Sequence, residues 1–530
     1  MEAMKCIGTF EENRIVVELF SIDNDLVSYF RNLKGYSKKS DNTFTFANTV
    51  DTVEALMDKD IRIQGMHKNK LPKIKFSAPF NKVMYPFQKK GVLKMFKFKK
   101  KVLLADDMGL GKTIQTIAFL STRKKHLPVL VMCPATLKWN WYDEFQKWWP
   151  KEISIHIMSG TKREAIPNVE VVIVNYDILH KRMSDIMAIE YSTVVLDECH
   201  YIKNIKAKRT KAAMFISKRI KNILALSGTP IENRPVEFFN VLNLLSPQKF
   251  PKLFPYAVRY CAAKRTRFGW DMSGSSHTLE LNKILLDSLM IRRTKENVLK
   301  ELPDKVISVV SMDVDNRNEY NEAEEDLVQW LMQESPEKAM KASKVEQLAK
   351  YNYLLQLSAQ GKMNNVFNWV DDFLETGNKL VLFAHNKFVI QALYERYKEK
   401  AVKIDGSVSM NKRKEAVHSF QNNENVKLFI GNLKAAGVGI TLTAANYVGI
   451  LQFPFVPALV RQAIDRVHRI TQNKKGFVYY FVAKNTMEED ILKILDNKIK
   501  ILTQILDGKQ VDVNDLVTEL MKSLTERIRL

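Results

Sequence analysis

Apolar residues along this chain fall into two series of short runs, and between the runs lie stretches with the three-to-four-residue spacing of amphipathic helices. The first series is VLLA (102–105), VLVMC (129–133), VEVVIVNY (169–176), TVVLD (193–197) and ILALS (223–227). The second is KLVLFAH (379–385), VKLFIGN (426–432), YVGILQF (447–453) and FVYYFVA (477–483). Runs that are apolar throughout, instead of alternating, belong to strands covered on both faces, and strands separated by helices form parallel sheets with crossover connections. The pattern therefore predicts an α/β fold of two lobes. Residues 231–375 read mostly as helices, including the charged NEYNEAEEDLVQWLMQ, and are expected to be helical insertions and linker. The expected domains are a small N-terminal accessory domain (1–72), a first lobe (73–230), the helical insertions (231–375), a second lobe (376–505) and a C-terminal helical tail (506–530). LPKIKFSAPF (71–80) reads as the linker into the first lobe.

With 530 residues the chain is too long for one core, as the two series already suggest. It contains no stretch of membrane-span length, and its N-terminus carries acids where a signal peptide needs a basic and then an apolar run. The expectation is a soluble protein of a reducing compartment, with no membrane partner. Cys6, Cys133, Cys199 and Cys261 lie far apart with no C-x-x-C pair, so neither a disulfide framework nor a zinc site is expected; small buried residues are. The formal charge of +23 changes the picture more, because it asks for a polyanionic partner, nucleic acid first. KFKKK (97–101), KAKRTK (206–211) and AAKRTR (262–267) are short and interrupted, as patches on a folded surface are.

The candidate chemistry begins at DDMGLGKT, residues 106–113, between the run VLLA and a helical stretch. Glycines let a backbone turn aim its N–H groups at a phosphate, and the following helix N-terminus adds positive dipole. Asp107, Met108, Gly109, Leu110 and Gly111 would form this loop, Lys112 would reach the outer phosphates, and the Thr113 hydroxyl would bind Mg²⁺. A full P-loop has Gly where Asp106 stands, so the match is to a shorter form. DECH (197–200) closes the run TVVLD, where α/β sheets bind ligands. Asp197 can hold Mg²⁺ there and Glu198 can orient and deprotonate an attacking water. SGTP (227–230) follows the next run, and its Ser and Thr could hydrogen-bond to the acids.

From the second lobe, RQAIDRVHRITQ (461–472) predicts a helix with Arg466 and Arg469 on one face and Gln462 a turn before. Presented across a cleft to ATP, one arginine would stabilise charge on the transferring phosphoryl group. Upstream, Gln88 in YPFQKKGV has an amide able to pair with both the donor and the acceptor on adenine's edge.

In the order YPFQKKG, DDMGLGKT, CPATLKWNW, DECH, LSGTP, AAGVGITLTAAN and QAIDRVHRITQ, these segments resemble the helicase-type motifs of the SWI/SNF-like family of superfamily two ATPases, over about residues 80–505. RYCAAKRTRFGWDMSGSSHTLELNKIL (259–285) and MIRRTKENVLKELPDK (290–305) are most similar to its HARP-type, SMARCA-like annealing helicases. The resemblance implies two RecA-like lobes binding ATP and Mg²⁺, with Gly439 of AAGVGIT at the nucleotide. It also implies ATP-driven movement along duplex DNA, or annealing and remodelling of branched DNA such as forks. Two positions depart from the family pattern: Thr471 replaces Gly in HRITQ, and Phe455 and Val456 stand in PFVP where W-N-P is usual. An RNA helicase and a non-catalytic ATP-gated DNA-binding module are the competing readings. A bacterial or viral setting, hence cytoplasm, is expected from so short a chain, and the nucleus if the source is eukaryotic.

NDLVSYFRNLKGYSKKSDNTFTFANTVDTVEALM (24–57) suggests helix, hairpin and helix, a layout similar to the HARP accessory domain. Phe44 and Phe46, with Tyr36 nearby, could stack on an unpaired base. The alternation in TFTF puts both on one strand face, which a small domain buries, so core is the favoured reading.

Overall fold

The computed structural model describes residues 6–11, 14–19, 24–33, 35–47, 56, 62–64, 74, 76–98, 101–266, 269–299, 303, 305–333, 344–434, 440–454, 456–469 and 472–508. The chain divides into two compact units, Met1–Lys75 and Phe76–Leu530.

The first unit contains β1 (Cys6–Glu11), β2 (Arg14–Leu19), a helix over Asn24–Arg31, β3 (Ser37–Lys38), β4 (Thr43–Ala47) and β5 (Arg62–Gln64). They form one sheet in the order β3-β4-β2-β1-β5, so the expected hairpin is part of a five-stranded sheet. The second expected helix lies, apart from Leu56, outside the described residues. Phe44 and Phe46 are fully buried, with ring centroids 5.4 and 5.1 Å from that of Phe30, against Ile15, Val17, Leu19 and Leu56. The core reading of TFTF holds, and these two rings offer no stacking surface.

In the second unit the first sheet is built from β6 (Lys101–Leu104), β7 (Val129–Cys133), β8 (Ile155–Ile157), β9 (Val171–Asn175), β10 (Thr193–Asp197) and β11 (Asn222–Leu226). A small antiparallel ribbon of β12 (Lys264–Thr266) and β13 (Gly269–Asp271) follows. The chain then returns through β14 (Met290–Ile291), which closes the sheet in the order β14-β6-β11-β10-β7-β9-β8 with every pairing parallel. The second sheet takes β15 (Lys305–Met312), β16 (Leu380–Ala384), β17 (Ala401–Ile404), β18 (Leu428–Asn432), β19 (Tyr447–Ile450) and β20 (Gly476–Ala483). Its order is β15-β20-β19-β16-β18-β17, again all parallel. The interval 231–375 thus gives a strand to each sheet besides its helices.

Both faces of each sheet are covered over the central strands, which is why those strands are apolar throughout. Along β10, Val194 and Leu196 enter one core and Val195 the opposite one. Along β16, Val381 and Phe383 enter one core while Leu380, Leu382 and Ala384 enter the other. Cys133, Cys199 and Cys261 are buried free thiols, as expected. Among the described residues no helix is long and apolar enough to cross a membrane.

One helix, Met487–Asp507, belongs to both lobes. Met487, Ile491 and Leu495 pack in the second-lobe core, whereas Leu502, Ile505 and Leu506 pack in the first. Its far end is fastened by Asn282 Nδ2 donating to Ile505 O (2.8 Å) and by Arg292 pairing with Asp507 (2.7 Å).

Candidate active site

Strands β6, β11 and β10 lie in parallel register, Leu104 beside Leu226 and Leu226 beside Asp197, so the segments DDMGLGKT, SGTP and DECH leave the same sheet edge. The helix Lys112–Ser121 begins directly after Gly111, which adopts a left-handed φ of 74°, and Gly109 has φ 83°. A Cβ at Gly111 would fall 2.4 Å from Gln88 Nε2, and one at Gly228 would fall 2.6 Å from Met108 Cγ. Glycine is therefore required at both places, by conformation and by close approach at Gly111 and by close approach at Gly228. Lys112 Nζ donates to Asp106 O (2.8 Å) and Asp107 O (3.3 Å), and burial pulls its pKa down against the charges of Glu198, Asp106 and Asp197. Thr113 occupies the first turn of the same helix, half-buried.

Asp106, at the P-loop position usually held by Gly, is a buried carboxylate gripped by Arg293 and by Gln115 Nε2 (3.1 Å). The departure from the longer P-loop pattern is thus a structural ion pair. Asp107 is likewise occupied: its carboxylate meets Arg292 (2.8 Å), Arg461 (3.1 Å) and the Lys295 N–H (3.1 Å), and its own N–H donates to Arg293 O. Burial opposes its ionisation, but Arg292, Arg461 and Lys295 hold its pKa below the ordinary value. Leu110 is fully buried, with its carbonyl accepting from Gln88 Nε2 (3.0 Å), while Gln88 Oε1 accepts from Tyr85 N (2.9 Å). Both ends of the Gln88 amide therefore serve the protein, the oxygen as a helix cap and the nitrogen as a tie to the glycine loop.

Asp197 Oδ2 accepts from the Trp141 indole (2.8 Å) and Oδ1 from Glu198 N (3.0 Å). Burial and then the adjacent charge of Glu198 push its pKa up to about 7. Glu198 has φ 49°, a left-handed conformation that costs a non-glycine residue ~1–3 kcal/mol and is concentrated at functional sites. Its carboxylate accepts from Ser227 Oγ (3.1 Å) and lies 3.4 Å from His200 Nδ1. Ser227 Oγ also accepts from Thr229 N (3.1 Å), so of the two SGTP hydroxyl residues Ser227 bonds across to Glu198 whereas the Thr229 hydroxyl serves the second lobe.

The second lobe meets this edge through the helix Pro457–Ile464 and the turn after it. The helix expected across residues 461–472 stops at Ile464, so Arg466 and Arg469 sit on a turn and not on a helix face. Its cause is tertiary: buried Lys295 binds the Asp465 carboxylate (2.6 Å) and the His468 carbonyl, and Arg469 Nε takes Asp465 O (3.2 Å), the carbonyl a continuing helix would use. The two arginines come together nevertheless. Arg466 is buried with its Nε unpartnered among the described residues, its Nη2 4.0 Å from Met108 Sδ, and Glu198, Asp465 and Asp197 as its neighbouring charges. Burial lowers its pKa in spite of those acids. Arg469 Nη1 donates to Thr441 Oγ1 (2.7 Å), and a Cβ at Gly109 would lie 3.4 Å from Arg469 Cγ. Burial and the charge of Arg466 push the Arg469 pKa down to about 9. Gln462 Nε2 donates to Thr229 Oγ1 (3.1 Å), a hydrogen bond from lobe to lobe. Gly439, Phe455 and Thr471 lie outside the described residues.

The structure thus brings Lys112, Thr113, Asp197, Glu198, Arg466 and Arg469 to one cleft, and adds Arg292, Lys295 and Arg461, which sequence reading did not single out. Arg292 and Lys295 stand in MIRRTKENV, quoted only for its resemblance; two buried cations beside a two-residue strand leave no periodic signal. A glycine-lined loop, an ammonium, a paired acid site and an orphaned buried guanidinium N–H suit a polyphosphate with a divalent cation.

The SNF2-related domain matches residues 87–366 and the Helicase conserved C-terminal domain residues 364–471. The chain is 34% identical over 447 residues to "SWI/SNF-related matrix-associated actin-dependent regulator of chromatin subfamily A-like protein 1" of Xenopus tropicalis, covering 82% of this chain and 47% of that protein. It is 32% identical over 447 residues to "DNA annealing helicase and endonuclease ZRANB3" of Homo sapiens, covering 81% of this chain and 41% of the relative. The chain spans about half the length of the curated relatives it matches. Among solved structures it resembles "Sulfolobus solfataricus SWI2/SNF2 ATPase core in complex with dsDNA", at 26% identity and TM-score 0.38, covering 80% of this chain and 93% of that one. With more than half of its residues matched by that one domain, the chain belongs to the SNF2-related family.

Proposed function

We propose that this chain is an ATP-dependent DNA translocase of the annealing-helicase kind, acting on duplex or fork-like DNA and hydrolysing ATP between its two lobes. The observation that carries the reading is Arg466, a second-lobe guanidinium with an orphaned buried N–H, set among the charges of the first-lobe acids Asp197 and Glu198. In this reading Lys112 and the loop Met108–Gly111 bind the phosphates. Glu198, oriented by Ser227, accepts the proton of the attacking water, and Arg466 and Arg469 stabilise charge on the phosphoryl group as it transfers. Thr113 and Asp197 would hold Mg²⁺, which supplies electrostatic stabilisation of the phosphate charge. We assign Asp107 to bracing, because cations of both lobes already engage its carboxylate. Gln462 likewise ties the lobes through Thr229, and Gln88 ties the glycine loop to the preceding helix, besides any contact with a base. Gly439 is retained at the nucleotide on resemblance alone.

DNA is the proposed track because the surface charge is strongly positive and the similar proteins include a DNA annealing helicase by name. Residues 1–72 are proposed to be an accessory domain that steers the motor to particular DNA shapes. The compartment would be wherever that DNA lies, the nucleus in a eukaryotic cell; the animal relatives offer no support for a bacterial or viral source. The test is steady-state ATPase with single strands, blunt duplex, forked duplex and duplex RNA at one fixed salt concentration, since phosphate-driven binding depends on salt. Duplex and forked DNA should stimulate turnover, forks most. Equal stimulation by duplex RNA, or none by any DNA, sinks the reading.

A further inference from the structure

Two aromatic residues that face solvent meet beside the ribbon of β12 and β13. Trp270 is 49% exposed and Phe254 is 44% exposed, yet their ring centroids are 4.7 Å apart in an edge-to-face pair. Phe254 stands on the helix Leu253–Tyr260, and Val258, one turn on along the same face, is also exposed. Arg265 is directly opposite Trp270 in the ribbon, so the two side chains project from one face, and exposed Lys252 caps the N-terminus of the supporting helix.

The base of this ribbon is fixed. Tyr256, Ala257 and Tyr260 of the supporting helix are buried in the first-lobe core. The Tyr260 hydroxyl donates to Glu280 (2.9 Å), which also pairs with Arg259. Ser276 Oγ donates to Arg259 O (2.8 Å) and accepts from Ala262 N (3.1 Å) at the entry to β12, where Ala262 takes a left-handed φ of 46°. At the exit Ser273 N–H donates to Asp271 Oδ1 (3.0 Å). Folding leaves a firmly mounted indole and phenyl in water at the cost of unburied apolar area, with the Arg265 guanidinium on the same face. An aromatic pair that served only the fold would turn inward, as Phe44 and Phe46 do.

We infer that Trp270 and Phe254, with Arg265, form a stacking site for an unpaired nucleobase at a DNA junction. A flat π-face accepts any base without reading its sequence, and flanking cations follow the phosphates on either side of it. Contacts to the phosphates of plain duplex cannot distinguish a fork, whereas a base freed from its partner can stack where a paired base cannot. The inference rests on the DNA reading above and names the residues through which a fork would be preferred. An acidic or apolar protein partner is the other occupant such a surface attracts, and the test separates it from a base.

The full chain carrying Trp270→Ala, Trp270→Phe or Arg265→Ala is compared with wild type for binding to a fork and to a blunt duplex of equal length, with 2-aminopurine at the first unpaired position of the fork. Trp270→Ala should weaken fork binding by about 5- to 150-fold, equivalent to ~1–3 kcal/mol for one stacked base. It should also abolish the quenching of 2-aminopurine fluorescence and leave duplex binding and duplex-stimulated turnover unchanged. Trp270→Phe should restore quenching in part, and Arg265→Ala should weaken fork binding less and reduce its salt dependence. Quenching and fork preference retained in Trp270→Ala overturn the inference and leave the motor reading standing. A wild-type chain that binds no DNA overturns both.

Discussion

At the cleft the first lobe presents acids and a lysine whose places are set by bonds inside that lobe: Trp141 to Asp197, Ser227 to Glu198, Lys112 to its own loop. The second lobe presents groups whose places depend on the first, Arg461 on Asp107, Asp465 on Lys295 and Gln462 on Thr229, although Arg469 is also held inside its own lobe by Thr441. Groups of the first kind can be organised whatever the second lobe does. Those of the second kind are correctly placed only when the lobes are together. The comparison teaches a division of labour, chemistry prepared on one side and permission to use it delivered from the other.

The most severe way to break that division is to remove the delivered group. Arg466→Ala should lower DNA-stimulated turnover by ~10³–10⁵-fold, the range of an arginine that stabilises a transferring phosphoryl group. Nucleotide binding by the first lobe should persist, as fluorescent-nucleotide titration would show; a variant that lost binding instead would make Arg466 part of the phosphate cradle. Next in size is the prepared side. Glu198→Gln should cost ~10²–10⁴-fold in turnover while leaving ATP bound, as expected for loss of a general base. Single-turnover hydrolysis near the wild-type rate would reassign the base.

The same substitution sharpens the comparison through stability. Because the folded Asp197 carboxyl has its pKa raised from 3.8 to about 7, the folded state holds a proton that the unfolded chain has released. Stability without nucleotide or metal should therefore fall as pH rises from about 4 to about 7, and the full penalty should remain above that. Burial, the larger cause, stays in Glu198→Gln, whereas the repulsion from Glu198 goes. The variant should melt higher than wild type at pH 8 and close to it at pH 5, in thermal scans followed by circular dichroism. A smaller effect belongs to the lobe-to-lobe hydrogen bond. Gln462→Ala removes a contact worth ~0.5–1.5 kcal/mol, so DNA-stimulated turnover should drop about 2- to 13-fold and turnover without DNA should change less. Equal loss in both conditions would place Gln462 with the prepared groups.

Much of the fold was legible because a strand buried on both faces must be apolar at every position. VLVMC and TVVLD coincide with β7 and β10 residue for residue. The strands of the two large sheets that escaped notice lack that pressure or the length to show it. β14 is buried but two residues long, β8 is half-buried throughout, β17 is half-buried at its two central positions, and β15, at a sheet edge, has Ile307 and Val309 about half exposed. In the site, the glycine loop and the acids announced themselves because phosphate and metal chemistry allows few residue types. The end of the helix at Ile464 did not, since no breaker stands in DRVHRI; the interruption comes from Lys295, 170 residues away in sequence. The same reasoning covers Asp106, whose meaning depends on Arg293.

The helix Met487–Asp507 constrains how such a machine can move. Twenty-one residues at ~1.5 Å each make a rod of about 30 Å, stiff over its length and clamped in a different core at each end. Two bodies joined by a clamped rod cannot simply drift apart along it. They can tilt about it, or the rod must flex or pull out of one socket. The Asp507 end is bolted to Arg292, which also holds Ala105 O, Gly228 O and Asp107 beneath the glycine loop. A lever with its fulcrum there would transmit torque between the arginine-bearing lobe and the floor of the loop itself, so that the rod serves as a drive shaft as well as a spacer.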